Sequence, residues 1–145
     1  MKLVIDTNIV ISALMKSDGI IGGILLKELQ DVEKLSCYYL YIEVFSKKDK
    51  ILKISKLEEN DLLELLYFVI KHINFVNEAQ ISDENWKKAR ILTQDIDVKD
   101  ISFVALSLET DAYFWTGDKV LHEGLKAKGF EKVVSTTDLL KMVRK

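Results

Sequence analysis

The chain has 145 residues, of which 48% are hydrophobic and 30% charged, and its formal net charge is −2 at neutral pH. This length and composition predict one globular domain over residues 1–145 and exclude a disordered or fibrous chain. The net charge shows no excess of basic residues that would indicate nucleic-acid binding, although local charged patches matter more for binding than the net charge. The single cysteine, Cys37, excludes an internal disulfide. No apolar run approaches the roughly 20 residues of a membrane span, and no signal-peptide pattern occurs, so we expect a cytoplasmic protein without membrane contact.

The first eight residues combine a short apolar strand with polar residues at its end. The apolar run 3–5 is followed by Asp6-Thr7-Asn8, after which apolar residues recur at helical spacing. A short, wholly apolar run before a helix is typical of a buried parallel strand. Because ligands bind beyond the carboxyl ends of parallel strands, Asp6 is either a helix cap or the first member of a site.

The rest of the sequence predicts strands that alternate with helices, which indicates an α/β fold with a mostly parallel sheet. Ser55 and Glu58 have the spacing of a capping box, and Ser82 has the position of a helix cap. The predicted strands after the first are 35–40, 73–76, 112–116 and 132–134. The predicted helices are 7–16, a second one around Gly22-Gly23, 42–54, 55–72, one that begins after Ser82, 97–109, one that ends at 128, and 137–144.

Five acidic residues lie at predicted strand-to-helix junctions: Asp6, Glu43, Asp97, Asp100 and Asp118. Taken singly, each can be a helix cap or a solvated side chain. If they converge, unit charges about 4 Å apart repel by about 4 kcal/mol at an effective dielectric of about 20, so the cluster needs a cation. Oxygen ligands without a His or Cys motif favour Mg²⁺ or Mn²⁺ over zinc.

The motifs that the sequence lacks limit the reactions that such a site can catalyse. The sequence has no Gly-x-x-x-x-Gly-Lys phosphate loop and no Gly-x-Ser-x-Gly or Cys/His nucleophile arrangement. Carboxylate-held cations with water as the attacking group suit phosphodiester hydrolysis. Thr7, Asn8 and Thr116 are expected to orient the carboxylates or a phosphate.

Two lysines are candidates for contacts with the phosphates of a substrate. Lys47 and Lys50 follow Glu43 by four and seven residues, which would place them on its helical face in an unbroken helix. They would then contact phosphates beside the metal. A solvated cationic surface explains the same pattern equally well.

Four motifs occur in a recognisable order: Asp6-Thr7-Asn8, a mid-chain Glu43, Asp97-x-x-Asp100 before an Ala/Leu-rich helix, and Thr116-Gly117-Asp118. They resemble the PIN-domain family, in particular its small prokaryotic VapC-like members. The resemblance implies a three-layer sandwich whose mostly parallel sheet is flanked by helices, and a Mg²⁺- or Mn²⁺-dependent ribonuclease. It also implies the catalytic and metal-binding quartet Asp6, Glu43, Asp100 and Asp118, with Asp97 as a fifth candidate ligand.

The resemblance also suggests partners: an RNA substrate, an antitoxin protein if the chain is the toxin of a toxin–antitoxin pair, and a second copy of the chain. Two other readings stay open. An aspartate-based phosphotransfer protein would also have an aspartate at the position of Asp6, at the end of the first strand. Phosphatases of that kind, however, require a second Asp at the position where this chain has Asn8. A non-catalytic PIN-like RNA-binding module would be expected to lack a member of the quartet.

Overall fold

The computed structural model describes residues 1–96 and 98–144, and these residues build a five-stranded parallel sheet. The strand order is β3-β2-β1-β4-β5, so β1 lies in the centre and pairs with β2 on one side and β4 on the other. Because all pairs are parallel, the carboxyl ends of the strands lie together at one edge, called the carboxyl edge below. The strands are β1 (Lys2–Ile5), β2 (Glu33–Cys37), β3 (Ile73–Val76), β4 (Tyr113–Trp115) and β5 (Val133–Val134).

Helices cover both faces of this sheet. Among the described residues they are α1 (Thr7–Met15), α2 (Ile20–Gly23), α3 (Tyr39–Ser46), α4 (Lys48–Ser55), α5 (Glu59–Ile70), α6 (Asp83–Thr93), α7 (Ile101–Thr110), α8 (Lys119–Ala127) and α9 (Thr136–Val143). Right-handed crossovers place α1–α5, which connect β1 to β3, on one face and α6–α8 on the other. The contacts agree, since α1 packs on α3, α4 and α5 whereas α6 packs on α7. The predicted three-layer α/β sandwich is therefore confirmed.

The central strands are buried on both faces. Leu3, Val4 and Ile5 of β1 and Phe114 and Trp115 of β4 are fully inaccessible to solvent. Their burial explains why the three buried residues of β1 are all apolar rather than alternating with polar ones. The sheet thus forms a rigid support for the polar residues that follow its strands.

Within the described ranges, no single helix is long and apolar enough to cross a membrane. The segments Thr7–Met15 and Ile20–Glu28 meet the length and composition only as a pair, and the chain bends by 108° between them.

The region after β2 differs from the sequence prediction. Tyr38 and Tyr39 do not extend the strand but begin α3, although tyrosine favours strands. The helix predicted over 42–54 is broken at Lys47, whose backbone has φ −107° and ψ 10°. Glu43 therefore lies on α3, whereas Lys50 lies on α4, and the shared helical face expected for them is wrong.

The capping box predicted at Ser55 is also wrong. Ser55 is the last residue of α4, and its hydroxyl accepts a hydrogen bond from the backbone N–H of Leu57 at 3.2 Å. Lys56 adopts a left-handed backbone with φ 61°, so that α5 begins only at Glu59. Ser82, by contrast, caps α6 as predicted by accepting from the N–H of Asn85 at 3.4 Å.

Candidate active site at the carboxyl edge of the sheet

Asp6 is held rigidly at the junction between β1 and α1, with only 2% of its surface exposed. Its backbone N–H donates to the Trp115 carbonyl at 3.3 Å and so extends the pairing of β1 with β4. Its Oδ2 accepts from the Thr116 hydroxyl at 2.9 Å, and its Oδ1 accepts from the Asn8 backbone N–H at 3.5 Å. Both carboxylate oxygens thus have fixed directions.

Thr116 connects Asp6 to the acid that follows β4. Its buried hydroxyl donates to Asp6 and also accepts from the backbone N–H of Asp118 at 3.1 Å. Asp118 in turn begins α8, where its Oδ1 accepts from the Leu121 N–H at 3.1 Å. One threonine hydroxyl therefore orders the ends of β1 and β4 relative to each other.

Glu43 reaches the same region from α3. The hydroxyl of Thr7, which is the first residue of α1, donates to Glu43 Oε1 at 2.6 Å. Glu43 is half-buried, whereas Thr7 is buried. This hydrogen bond joins two positions 36 residues apart and brings the Glu43 carboxylate beside the start of α1.

The charges of Glu43 and Asp118 both act on the Asp6 carboxylate. The pKa of Asp6 is raised from 3.8 to about 6, mainly by burial and also by the charges of Glu43 and Asp118, against the opposing hydrogen bonds from Thr116 and Asn8. A negative charge at Asp6 is thus destabilised both by loss of water and by its acidic neighbours.

The donor chemistry fits a hard divalent cation. Asp6, Glu43 and Asp118 offer only oxygen atoms, which Mg²⁺ and Mn²⁺ prefer, and a cation would stabilise the disfavoured charge of Asp6. Within residues 1–96 and 98–144, no three His, Cys, Asp or Glu side chains are arranged closely enough to hold one ion as they stand. The Glu43 and Asp118 carboxylates instead accept hydrogen bonds from Thr7 and from α8.

Asp100 is the last residue of a 3₁₀ turn (Val98–Asp100) and lies at the cap position of α7, where it is half-buried. Because α7 leads directly into the amino end of β4, its own start lies towards the carboxyl edge. Asp97 lies outside the described residues. Asn8 is exposed, and its backbone N–H rather than its side chain contacts Asp6.

Glu78 is an acid at this edge that the sequence analysis passed over. It lies in a 3₁₀ turn (Glu78–Gln80) directly after β3, and its carboxylate accepts from the N–H groups of Tyr38 and Tyr39. The signal was present in the sequence, because Glu78 comes two residues after the predicted strand 73–76, near the edge where Asp6 follows the strand 3–5.

A central parallel sheet with buried and half-buried carboxylates at its carboxyl edge defines an α/β protein with an acidic site. The sequence model of the PIN domain matches residues 4–138, and the chain therefore belongs to the PIN-domain family, whose members are generally nucleases.

A solved structure, VapBC2 from Rickettsia felis bound to a DNA fragment from its promoter, is similar to this chain with a TM-score of 0.65. The match covers 93% of this chain and 97% of the other at 14% sequence identity, and at that identity it shows the fold alone. No curated protein matches the sequence.

Proposed function

We propose that this protein is a Mg²⁺- or Mn²⁺-dependent endoribonuclease. The observation that carries the proposal is the buried Asp6 carboxylate, whose charge is disfavoured by burial and by Glu43 and Asp118, in a chain of the PIN-domain family. A bound metal ion would compensate the disfavoured negative charge of Asp6, which otherwise destabilises the folded protein.

Each residue has a distinct part in this proposal. Asp6, Glu43, Asp100 and Asp118 would hold the ion, with Asp97 as a further candidate ligand. Thr116 fixes the direction of Asp6, Thr7 fixes that of Glu43, and Asn8 contributes its backbone N–H. The bound ion would lower the pKa of an attacking water and stabilise the leaving oxygen of the RNA.

The protonation state of Asp6 links metal binding to pH. With its pKa raised to about 6, Asp6 carries a proton in part of the molecules near neutral pH. A metal ion binds the carboxylate rather than the acid, so binding releases this proton and becomes stronger as the pH rises.

Lys47 and Lys50 are the proposed phosphate contacts, now from the loop between α3 and α4 and from the first turn of α4. Replacing both with Ala should weaken RNA binding and reduce its salt slope by about 0.7 per lost contact for single strands. An unchanged slope would assign both lysines to the solvated surface.

The proposed protein partner is an antitoxin, as expected for the toxin of a toxin–antitoxin pair acting on RNA in the cytoplasm. Ile42 and Phe45 on α3 are 62% and 68% exposed, and Leu63 on α5 is 45% exposed. Phe45 and Leu63 line the same groove, and Glu43 lies on the same helix as Ile42 and Phe45. An apolar antitoxin segment bound there would lie beside the active site and could block it. A second copy of this chain remains the other proposed partner.

Growth experiments test the antitoxin proposal. Expression of the protein should arrest bacterial growth, and co-expression of a small protein encoded beside its gene should relieve the arrest. Phe45→Ser should prevent the relief without reducing RNA cleavage. Relief that Phe45→Ser leaves intact would place the antitoxin on another surface.

Incubation with RNA and with an acyl phosphate, each with Mn²⁺ or with EDTA, tests the reaction class. We expect RNA cleavage with Mn²⁺, none with EDTA, and no phosphorylated protein. Metal-dependent phosphorylation would support the phosphotransfer alternative, and RNA binding without cleavage would support a non-catalytic module.

A further inference from the structure

Glu78 makes a contact that crosses the sheet edge from β3 to α3. Its Oε1 accepts from the backbone N–H of Tyr38 at 3.0 Å, and its Oε2 accepts from that of Tyr39 at 3.1 Å. The two positions are separated from Glu78 by 40 and 39 residues. One carboxylate thus binds two successive N–H groups of the chain where α3 begins.

This contact supplies a cap that α3 does not provide for itself. The first N–H groups of a helix have no partner within the helix, and Tyr38 at the cap position offers no side-chain hydrogen bond. A carboxylate at this end also interacts favourably with the helix dipole. The position at which α3 begins after β2 is therefore set by Glu78.

The position of Glu43 follows from where α3 begins. Glu43 lies four residues after Tyr39, so it is one helical turn beyond an N–H group that Glu78 binds. Cys37 is the last residue of β2, and its pKa is raised to about 12, mainly by burial and also by the charges of Glu78 and Glu43. Both acids are thus near the carboxyl end of β2, and only Glu43 contacts Thr7.

We propose that Glu78 is a positioning residue for Glu43: by capping α3 across the sheet edge, it holds Glu43 within reach of Thr7 and of the proposed metal site. Glu78 takes a positioning role in this proposal, in which its two oxygens accept the N–H groups at the start of α3. The part that concerns catalysis rests on the proposed function.

The chain offers a matched control for a capping role alone. Glu109 on α7 accepts from the backbone N–H of Ser82 at 2.8 Å and from the Asn85 side-chain amide at 3.0 Å, both at the start of α6. Glu109 thus stabilises a helix start from a distant position as Glu78 does, but α6 carries no proposed site residue.

The experiment compares Glu78→Ala, Glu78→Gln and Glu109→Ala with wild type. Both alanine variants should melt at a lower temperature. Of the two alanine variants, only Glu78→Ala should shift the carboxyl ¹³C resonance of Glu43 in metal-free protein and lower kcat for RNA, by about 10- to 100-fold at unchanged KM. Glu78→Gln keeps one acceptor oxygen, so its changes in the Glu43 resonance and in kcat should be smaller than those of Glu78→Ala.

An unchanged Glu43 resonance in Glu78→Ala overturns the proposal, as does an equal fall of kcat in Glu109→Ala. If Glu78→Ala does not fold, Glu78→Gln replaces it, and wild-type behaviour of that variant in both measurements overturns the proposal as well. If wild type cleaves no RNA, the proposed function fails, whereas the Glu43 resonance still decides whether Glu78 positions this side chain.

Discussion

Asp6 affects the stability of the folded protein in two opposite ways. As the cap of α1 it accepts a hydrogen bond from Asn8, and such a cap stabilises a protein by about 0.5–2 kcal/mol. As a buried carboxylate it carries a charge that the folded state disfavours, as its pKa of about 6 shows. The rise from 3.8 to about 6 corresponds to about 3 kcal/mol, so the cost of the charge exceeds the benefit of the cap.

Replacing Asp6 with Asn separates these roles, because the amide keeps the shape and a hydrogen-bonding oxygen but carries no charge. A pKa raised in the folded state stabilises the protein at low pH, and this contribution is lost as the pH rises from about 4 through about 6. In EDTA, Asp6→Asn should therefore melt higher than wild type at about pH 8, and the difference should shrink as the pH falls through 6. Thermal unfolding of both proteins across this range measures the effect.

If Asp6 served only as a cap, Asp6→Asn would not gain stability at high pH, and the two melting curves would change with pH in parallel. Asp31→Asn is the matched control. Asp31 is exposed just before β2, at the edge of the sheet opposite the site, and its replacement should leave the pH dependence of wild type unchanged.

At the scale of elements, α2 contains two neighbouring glycines with opposite surroundings. A Cβ at Gly22 would lie 2.4 Å from the Ser17 carbonyl oxygen, whereas one at Gly23 would meet no atom within 4 Å. The close approach at Gly22 lets the chain turn tightly between α1 and α2. Only the first of these glycines is required by packing.

Gly22→Ala should therefore lower the free energy of unfolding by about 1–3 kcal/mol, because the backbone must move. Gly23→Ala should raise it by about 0.4–1 kcal/mol through the reduced entropy of the unfolded chain. Urea unfolding of both variants gives the comparison. Equal effects of the two substitutions would contradict the packing at Gly22.

The elements that the sequence predicted well have strong local signals. The apolar run 3–5 lies in β1, as expected, and Gly129 follows α8 with φ 87°, as its helix-ending role requires. The errors arose where a left-handed residue or a distant contact overrides the local sequence pattern. After Ser55, the chain forms a left-handed turn at Lys56 instead of the predicted helix start. At Tyr38, the predicted strand is replaced by the start of a helix whose N–H groups bind Glu78.

At the scale of the whole molecule, the site lies where the chain changes direction across the sheet. From β1 the chain proceeds outwards to β2 and β3, then returns to the other side of β1 as β4. Ligand sites of open parallel sheets lie at such a switch point, beyond the carboxyl ends of the strands. Asp6 follows the central strand here, beside Thr116 at the end of β4.

This topology explains how much of the site could be predicted. The acids after strands, Asp6 and Asp118, were recognisable because each strand ends abruptly in polar residues. The contacts of Thr7 with Glu43 and of Thr116 with Asp6 depend on the order of the strands, which local sequence does not specify. The function of Glu78 was hidden for the same reason.

Metal binding should change the stability of the whole fold. A cation that binds only the native state stabilises it by about 2.7 kcal/mol at a hundredfold excess over its dissociation constant. Mn²⁺ should therefore raise the melting temperature of wild type at about pH 8, and it should raise that of Asp6→Asn less because one charged ligand is lost. An equal Mn²⁺ shift in both proteins would place the cation elsewhere.

The central claim is that the acids at the carboxyl edge perform metal-dependent RNA cleavage. The most direct measurement is the rate of cleavage with saturating Mn²⁺ for Asp6→Asn, Glu43→Gln, Asp100→Asn and Asp118→Asn, with Asp31→Asn as the control. We expect each of the four to lose at least about 100-fold in rate, because the ion loses a charged ligand, while the control keeps wild-type activity. Cleavage at the wild-type rate in the Asp6→Asn variant would contradict the claim.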